Sequence, residues 1–129
     1  EEDSITGTTL TTAVSTHGRQ RVEQIYGFDG NDLLISGGTD RYELFGGGGR
    51  DSFRIVDWDK TWIRDYQKFT DKIEILASGA LKDVDIAAVS VLGSLQYGNE
   101  YSEIQYLGKT LAVLDGQWHR NDIDIALIN

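Results

Sequence analysis

The 129-residue chain is expected to fold as a single all-β domain spanning residues 1–129. Three observations point there. Glycine–aspartate corners recur every nine or ten residues between Gly18 and Arg54. The residues that follow a corner alternate polar and apolar, as in "DSFRIV" (51–56), the pattern of a half-buried strand. The second half contains "SEIQYLGKTLAVL" (102–114), which reads as two short strands around a tight turn at Leu107-Gly108-Lys109.

Aligning the corners exposes a repeat. Residues 18–26 are "GRQRVEQIY", 27–35 "GFDGNDLLI", 37–45 "GGTDRYELF" and 46–54 "GGGGRDSFR", with Ser36 a one-residue insertion. Position one is Gly in all four. Position eight is always apolar, as Ile25, Leu34, Leu44 and Phe53. Position six holds Glu23, Asp32, Tyr42 and Asp51, so only two frames keep an aspartate there. Glycine reaches positive φ without steric cost and lets carbonyl oxygens turn inward at a sharp corner. An aspartate directly after such a corner suggests that those oxygens face a cation.

The pattern Gly-Gly-x-Gly-x-Asp-x-apolar-x resembles the calcium-binding nonapeptide of RTX proteins, matched in full by residues 46–54 and short of one glycine, at Phe28, in 27–35. Residues 50–76 also resemble the segment that closes the β-roll in serralysin-type proteases and in the R-modules of secreted alginate epimerases. The matching residues are Asp51 and Phe53, then Ile63, Asp65 and Tyr66, then Asp71, Lys72 and Ile73; Thr61 stands where that family usually has Asp. The resemblance implies a right-handed parallel β-roll, with repeats over 18–54 and a closing segment over 55–76. An antiparallel, sandwich-like cap is expected over 77–129. It also implies that successive corners lie on alternate sides, so that corner 27–32 stacks on corner 46–51.

The expected cofactor is Ca2+, which takes six to eight oxygen ligands, carboxylate and carbonyl alike. Asp32 and Asp51 are the expected carboxylates, with backbone oxygens from Gly27, Asp29, Gly30, Gly47 and Gly49 as companions. Capping of turn N–H groups is the structural alternative for the two aspartates. On the other side Glu23 and Tyr42 occupy the aspartate position, and Asp40 is the nearby substitute. Asp59 and Asp65 are candidates for a site against the closing segment; their alternative reading is as solvent-facing turn residues.

Composition agrees with this reading and excludes others. Twelve basic against 21 acidic residues give a net charge of −9, which disfavours nucleic acid and anionic membranes as partners. There is no cysteine, hence neither disulfide nor thiolate site. No apolar run approaches the roughly 18 residues of a membrane span. With no Met and Glu at position 1, the sequence reads as a piece of a longer, secreted chain.

Catalytic motifs fail. "GKT" (108–110) lacks the earlier P-loop glycine, Trp62 stands where an EF-hand loop starting at Asp57 needs Gly, and neither HExxH nor Gly-x-Ser-x-Gly occurs. The chain is therefore expected to be a non-enzymatic module that folds on extracellular calcium at the C-terminal end of a secreted protein. Its partners would include the type I secretion machinery, with "NDIDIALIN" (121–129) either a last strand or part of an export signal. "LKDVDIAAV" (81–89) is expected to hold a helical turn. An alternative is a polysaccharide-binding module using Trp58, Trp62, Tyr66, Tyr97, Tyr101 and Trp118; another is an adhesin or surface-layer module.

Overall fold

The computed structural model describes residues 22–28, 30–35, 41–96 and 99–129. Over these residues it is all-β, with ten strands in two mixed or parallel sheets and only short 3-10 turns besides. The strands are β1 Val22–Tyr26, β2 Leu33–Ile35, β3 Arg41–Phe45, β4 Ser52–Ile55, β5 Thr61–Ile63, β6 Lys72–Leu76, β7 Val89–Gln96, β8 Asn99–Tyr106, β9 Lys109–Asp115 and β10 Ile125–Ile128.

From β1 to β6 consecutive strands alternate between the sheets, and each of β1 to β4 pairs in parallel with the strand two further on. Val22 lies opposite Arg41 and Leu33 opposite Ser52. Each offset equals two nine-residue frames plus the one inserted residue. The repeat therefore sets the register directly. It also decides which side chains go inside, because in a strand alternate residues share a face. The eighth-position residues Ile25, Leu34, Leu44 and Phe53 are all buried, and they join Ile55, Ile63, Ile73 and Ile75 in one core fed by both sheets.

The C-terminal half is antiparallel only in part. β7, β8 and β9 are antiparallel to one another, but β9 then runs parallel to β5 and extends the same six-stranded sheet, ordered β1-β3-β5-β9-β8-β7. β10 returns to pair in parallel with β6 and completes the four-stranded sheet β10-β6-β4-β2. The new strands thus continue the two existing sheets; stacking on them bridges open strand edges that a detached cap would leave bare.

The β8–β9 turn falls where expected: Leu107 and Gly108 both have positive φ, 51° and 84°, as a two-residue hairpin turn with matching twist requires. Strict alternation puts Leu111 and Val113 on one face, opposed to Glu103, yet Val113 sits directly opposite Glu103. A bulge is the reason: Ile104 pairs Ala112 and Gln105 pairs Thr110, so Leu111 is the extra residue. Leu111 and Ala112 are both buried, and the phase of the strand flips after them. The helical turn expected in 81–89 is present as 3-10 turns at Gly79–Leu81 and Ile86–Ala88. No helix among the described residues is long and apolar enough to cross a membrane.

Candidate metal centre

Three loops link the six-stranded to the four-stranded sheet at one edge of the molecule: residues 27–32 after β1, 46–51 after β3 and 64–71 after β5. The parallel registers stack them in that order. Their last residues are Asp32, Asp51 and Asp71, each immediately before a strand and each about 3% exposed or less.

The glycines of the second corner follow from how closely the corners approach. A Cβ on Gly47 would overlap the Phe28 carbonyl oxygen, and one on Gly49 would overlap that of Gly30. Both glycines also have positive φ, 80° and 90°, so any other residue would be strained there as well as crowded. The first glycine of each frame has a different reason. A Cβ on Gly27 would lie 2.5 Å from Asp32 Oδ2, and one on Gly46 would lie 2.5 Å from Asp51 Oδ2. In each corner the sixth-position carboxylate folds back over the first-position glycine.

Asp32 and Asp51 are brought together. The Asp32 amide donates to Asp51 Oδ1 at 3.0 Å, the Ser52 amide donates to the Asp32 carbonyl at 2.8 Å, and the Arg50 amide to Asn31 Oδ1 at 2.8 Å. The second oxygen, Asp51 Oδ2, is buried with no hydrogen-bond partner among the described residues. Burial pushes the Asp51 carboxyl up to about 7; the Asp32 amide opposes that rise, and the carboxylates of Asp71, Asp32 and Asp65 add to it.

The next interface down the stack is closed differently. Asp65 accepts from the Gly46 and Gly47 amides at 2.8 and 2.9 Å, one through each oxygen. Asp71 accepts from the Asp51 amide at 2.9 Å and the Gln67 amide at 3.0 Å, again one through each. Burial raises the Asp71 carboxyl as well, against the pull of those two amides. Four backbone N–H groups thus occupy the four oxygens at this interface, whereas Asp51 takes one amide through Oδ1 and none through Oδ2. In the four-stranded sheet Ile125 pairs with Ile73, so buried Ile123 falls opposite Asp71 and ends the carboxylate series.

The remaining residues named from the sequence are dispersed. Asp59 and Asp65 stand at opposite ends of β5 and share no site; Asp59, about half exposed, pairs with Arg41 at 2.7 Å. Tyr42 is fully buried inside β3, so apolar packing takes the place of a carboxylate on that side. Asp29 and Asp40 lie outside the described residues. Two participants were not read from the sequence. The Phe28 carbonyl faces the second corner, signalled only by Phe28 standing at a motif glycine position with φ of 67°. Asp71 follows the same Asp-x-apolar spacing as Asp32 and Asp51.

Among the described residues no group of three or more His, Cys, Asp or Glu side chains converges as a metal cage. A site here would have to draw on backbone oxygens. The oxygens available around the first interface, the Asp51 and Asp32 carboxylates and the Phe28 and Gly30 carbonyls that lie against Gly47 and Gly49, are of the kind that suits a hard cation. No family model matches the chain, and no curated protein sequence matches it.

Proposed function

We propose that the chain is a calcium-binding module of the RTX kind, a right-handed parallel β-roll at the C-terminal end of a secreted protein, whose folding is coupled to extracellular calcium. The observation that carries this reading is Asp51 Oδ2, a buried carboxylate oxygen with no donor among the described residues, in a corner whose glycines let the Phe28 and Gly30 carbonyls approach closely. A buried acceptor left unsatisfied costs roughly 1–3 kcal/mol, more when charged. A bound cation would supply positive charge shared between the Asp32 and Asp51 carboxylates.

The chain's own residues do the rest. Asp51 holds corner 27–32 through the Asp32 amide, and Asp65 and Asp71 hold corner 46–51 through three of its amides. The first and second corners are thus tied to each other partly through a site that repels itself when empty, and binding energy there becomes folding energy. Extracellular modules of this class work at Kd values of about 10⁻⁴–10⁻³ M, far above cytosolic calcium. Folding would accordingly wait until after export.

Calorimetric titration tests the reading. Calcium should bind in the submillimolar to millimolar range and magnesium should fail to replace it, since magnesium demands a tight octahedron and retains its waters. Equal affinity for both ions, or none for calcium, overturns it.

A further inference from the structure

The outer face of the six-stranded sheet carries a second, unrelated constellation. Register places Gln24, Glu43, Trp62, Val113, Glu103 and Leu92 in one row across all six strands. No described element covers this row. Within it lies an open cleft of about 280 Å³ lined by Arg41, Asp59, Trp62, Tyr101, Glu103 and Thr110, together with Val113.

The cleft is pre-organised. Trp62 Nε1 donates to Asp115 Oδ1 at 2.7 Å, and the Arg64 guanidinium lies 4.4 Å from the centre of the Trp62 ring, covering one of its faces. Arg64 is itself held by Asp115 at 2.7 Å and by Glu43 at 3.3 Å. The indole is therefore fixed by its neighbours, and a ligand stacking on it meets a plate that is already ordered. Around it are planar hydrogen-bonding groups with capacity to spare. Glu103 accepts from Thr110 Oγ1 at 2.7 Å and Gln105 Nε2 at 3.1 Å, both through Oε1, so Oε2 takes no bond among the described residues. Arg41 and Asp59 bond each other through a single nitrogen and a single oxygen, leaving the other Arg41 N–H groups and Asp59 Oδ1 open.

We propose that this cleft binds a neutral oligosaccharide. A fixed aromatic plate flanked by carboxylate and guanidinium groups matches a sugar ring, which has an apolar C–H face and hydroxyls at its rim. Charge selects among sugars. The arginines lining and bracing the cleft are already neutralised by Asp59, Asp115 and Glu43, Glu103 adds a negative charge, and the whole chain carries −9. A uronate or sulfated chain would meet repulsion; a neutral one would not. The site belongs to the sheet face and does not depend on the calcium reading. Of the aromatics considered from the sequence, only Trp62 and Tyr101 line it. Trp58 packs near Tyr106 and Lys109, Tyr66 and Trp118 pack edge-on against each other, and Tyr97 lies outside the described residues.

The test is tryptophan fluorescence and calorimetry with neutral hexasaccharides of gluco, xylo, manno and galacto configuration, and with an oligouronate of equal length, all in saturating calcium. At least one neutral hexasaccharide should bind. Trp62→Ala should weaken it by at least about ten-fold, as loss of a central aromatic anchor does. Glu103→Gln and Asp59→Asn, both surface changes compatible with folding, should each weaken it measurably, while Trp58→Ala should leave it unchanged. Failure of every neutral sugar, preference for the oligouronate, or binding that survives both Glu103→Gln and Asp59→Asn overturns the proposal.

Discussion

Asp51 carries two roles that a substitution can separate. Its Oδ1 caps the Asp32 amide, and its Oδ2 has no donor among the described residues. An asparagine side chain in its place would keep the cap and lose the charge. Asp51→Asn should therefore raise the calcium needed for folding by about ten-fold or more, the scale on which ligand charge tunes such sites. Asp51→Ala loses the cap too and should cost the calcium-saturated chain about 1 kcal/mol more than Asp51→Asn does. If the Asp51→Asn variant behaves like the parent in calcium titration, Asp51 only caps. The pH response follows from the same residue. Its carboxyl sits at about 7 in the fold against 3.8 unperturbed, and Asp71 is raised too. Folding favours the protonated forms, so the calcium-free chain should be most stable near pH 4 and lose stability as pH rises through about 7. Saturating calcium should reverse the trend over the upper part of that range, because protons and cation compete for the same oxygens. Thermal melts on either side of that value, with calcium or chelator, check both signs.

At the level of elements, what the sequence disclosed depended on how local the cause was. The eighth-position residues Ile25, Leu34, Leu44 and Phe53 announced their burial because a nine-residue period fixes which side of each strand they occupy. The hairpin at Leu107-Gly108 was equally legible, since a glycine at positive φ between alternating runs has few other uses. The bulge at Leu111 was not, as no residue type there marks it, and one extra residue was enough to turn Val113 to the other face. Nor were the parallel pairings β5–β9 and β6–β10, which join strands distant in sequence and leave no local signature. At the candidate site the pairing of Asp32 with Asp51 was readable from the repeat. The capping by Asp65 was not, because a carboxylate that binds amides and one that binds metal look alike in a sequence.

One hydroxyl ties the start of β10 to the loop before β6. Tyr66 Oη donates to the Asp71 carbonyl at 3.1 Å and accepts from the Asp124 amide at 3.0 Å, in a ring that is 7% exposed. Tyr66→Phe should cost roughly 1–3 kcal/mol by stranding those two backbone groups. The loss should show as faster amide exchange in β10 and in β6 beside it, with β1 and β3 unaffected. Uniform acceleration throughout would mean that Tyr66 merely contributes to the core. Removing residues 122–129 deletes β10 and buried Ile123 and Ile125 together. That truncation should lower stability more than Tyr66→Phe does; continued export of the truncated chain through a type I channel would assign the segment a purely structural role.

The first six strands form a stack in which each strand from β3 on pairs with the one two earlier, and Asp51, whose buried Oδ2 lacks a donor among the described residues, bonds the first described corner through Oδ1. Fifteen glycines make the unfolded chain entropically favourable, and no disulfide restrains it. Calcium is therefore expected to be a condition of the fold. Near-ultraviolet circular dichroism of the three tryptophans, followed as EDTA removes calcium and millimolar calcium is restored, tests this most directly. Above the Asp51 value of about 7, the signal should collapse with EDTA and return with calcium, and magnesium should not restore it. A chain that keeps its full near-ultraviolet spectrum in EDTA would contradict the claim that calcium drives its folding.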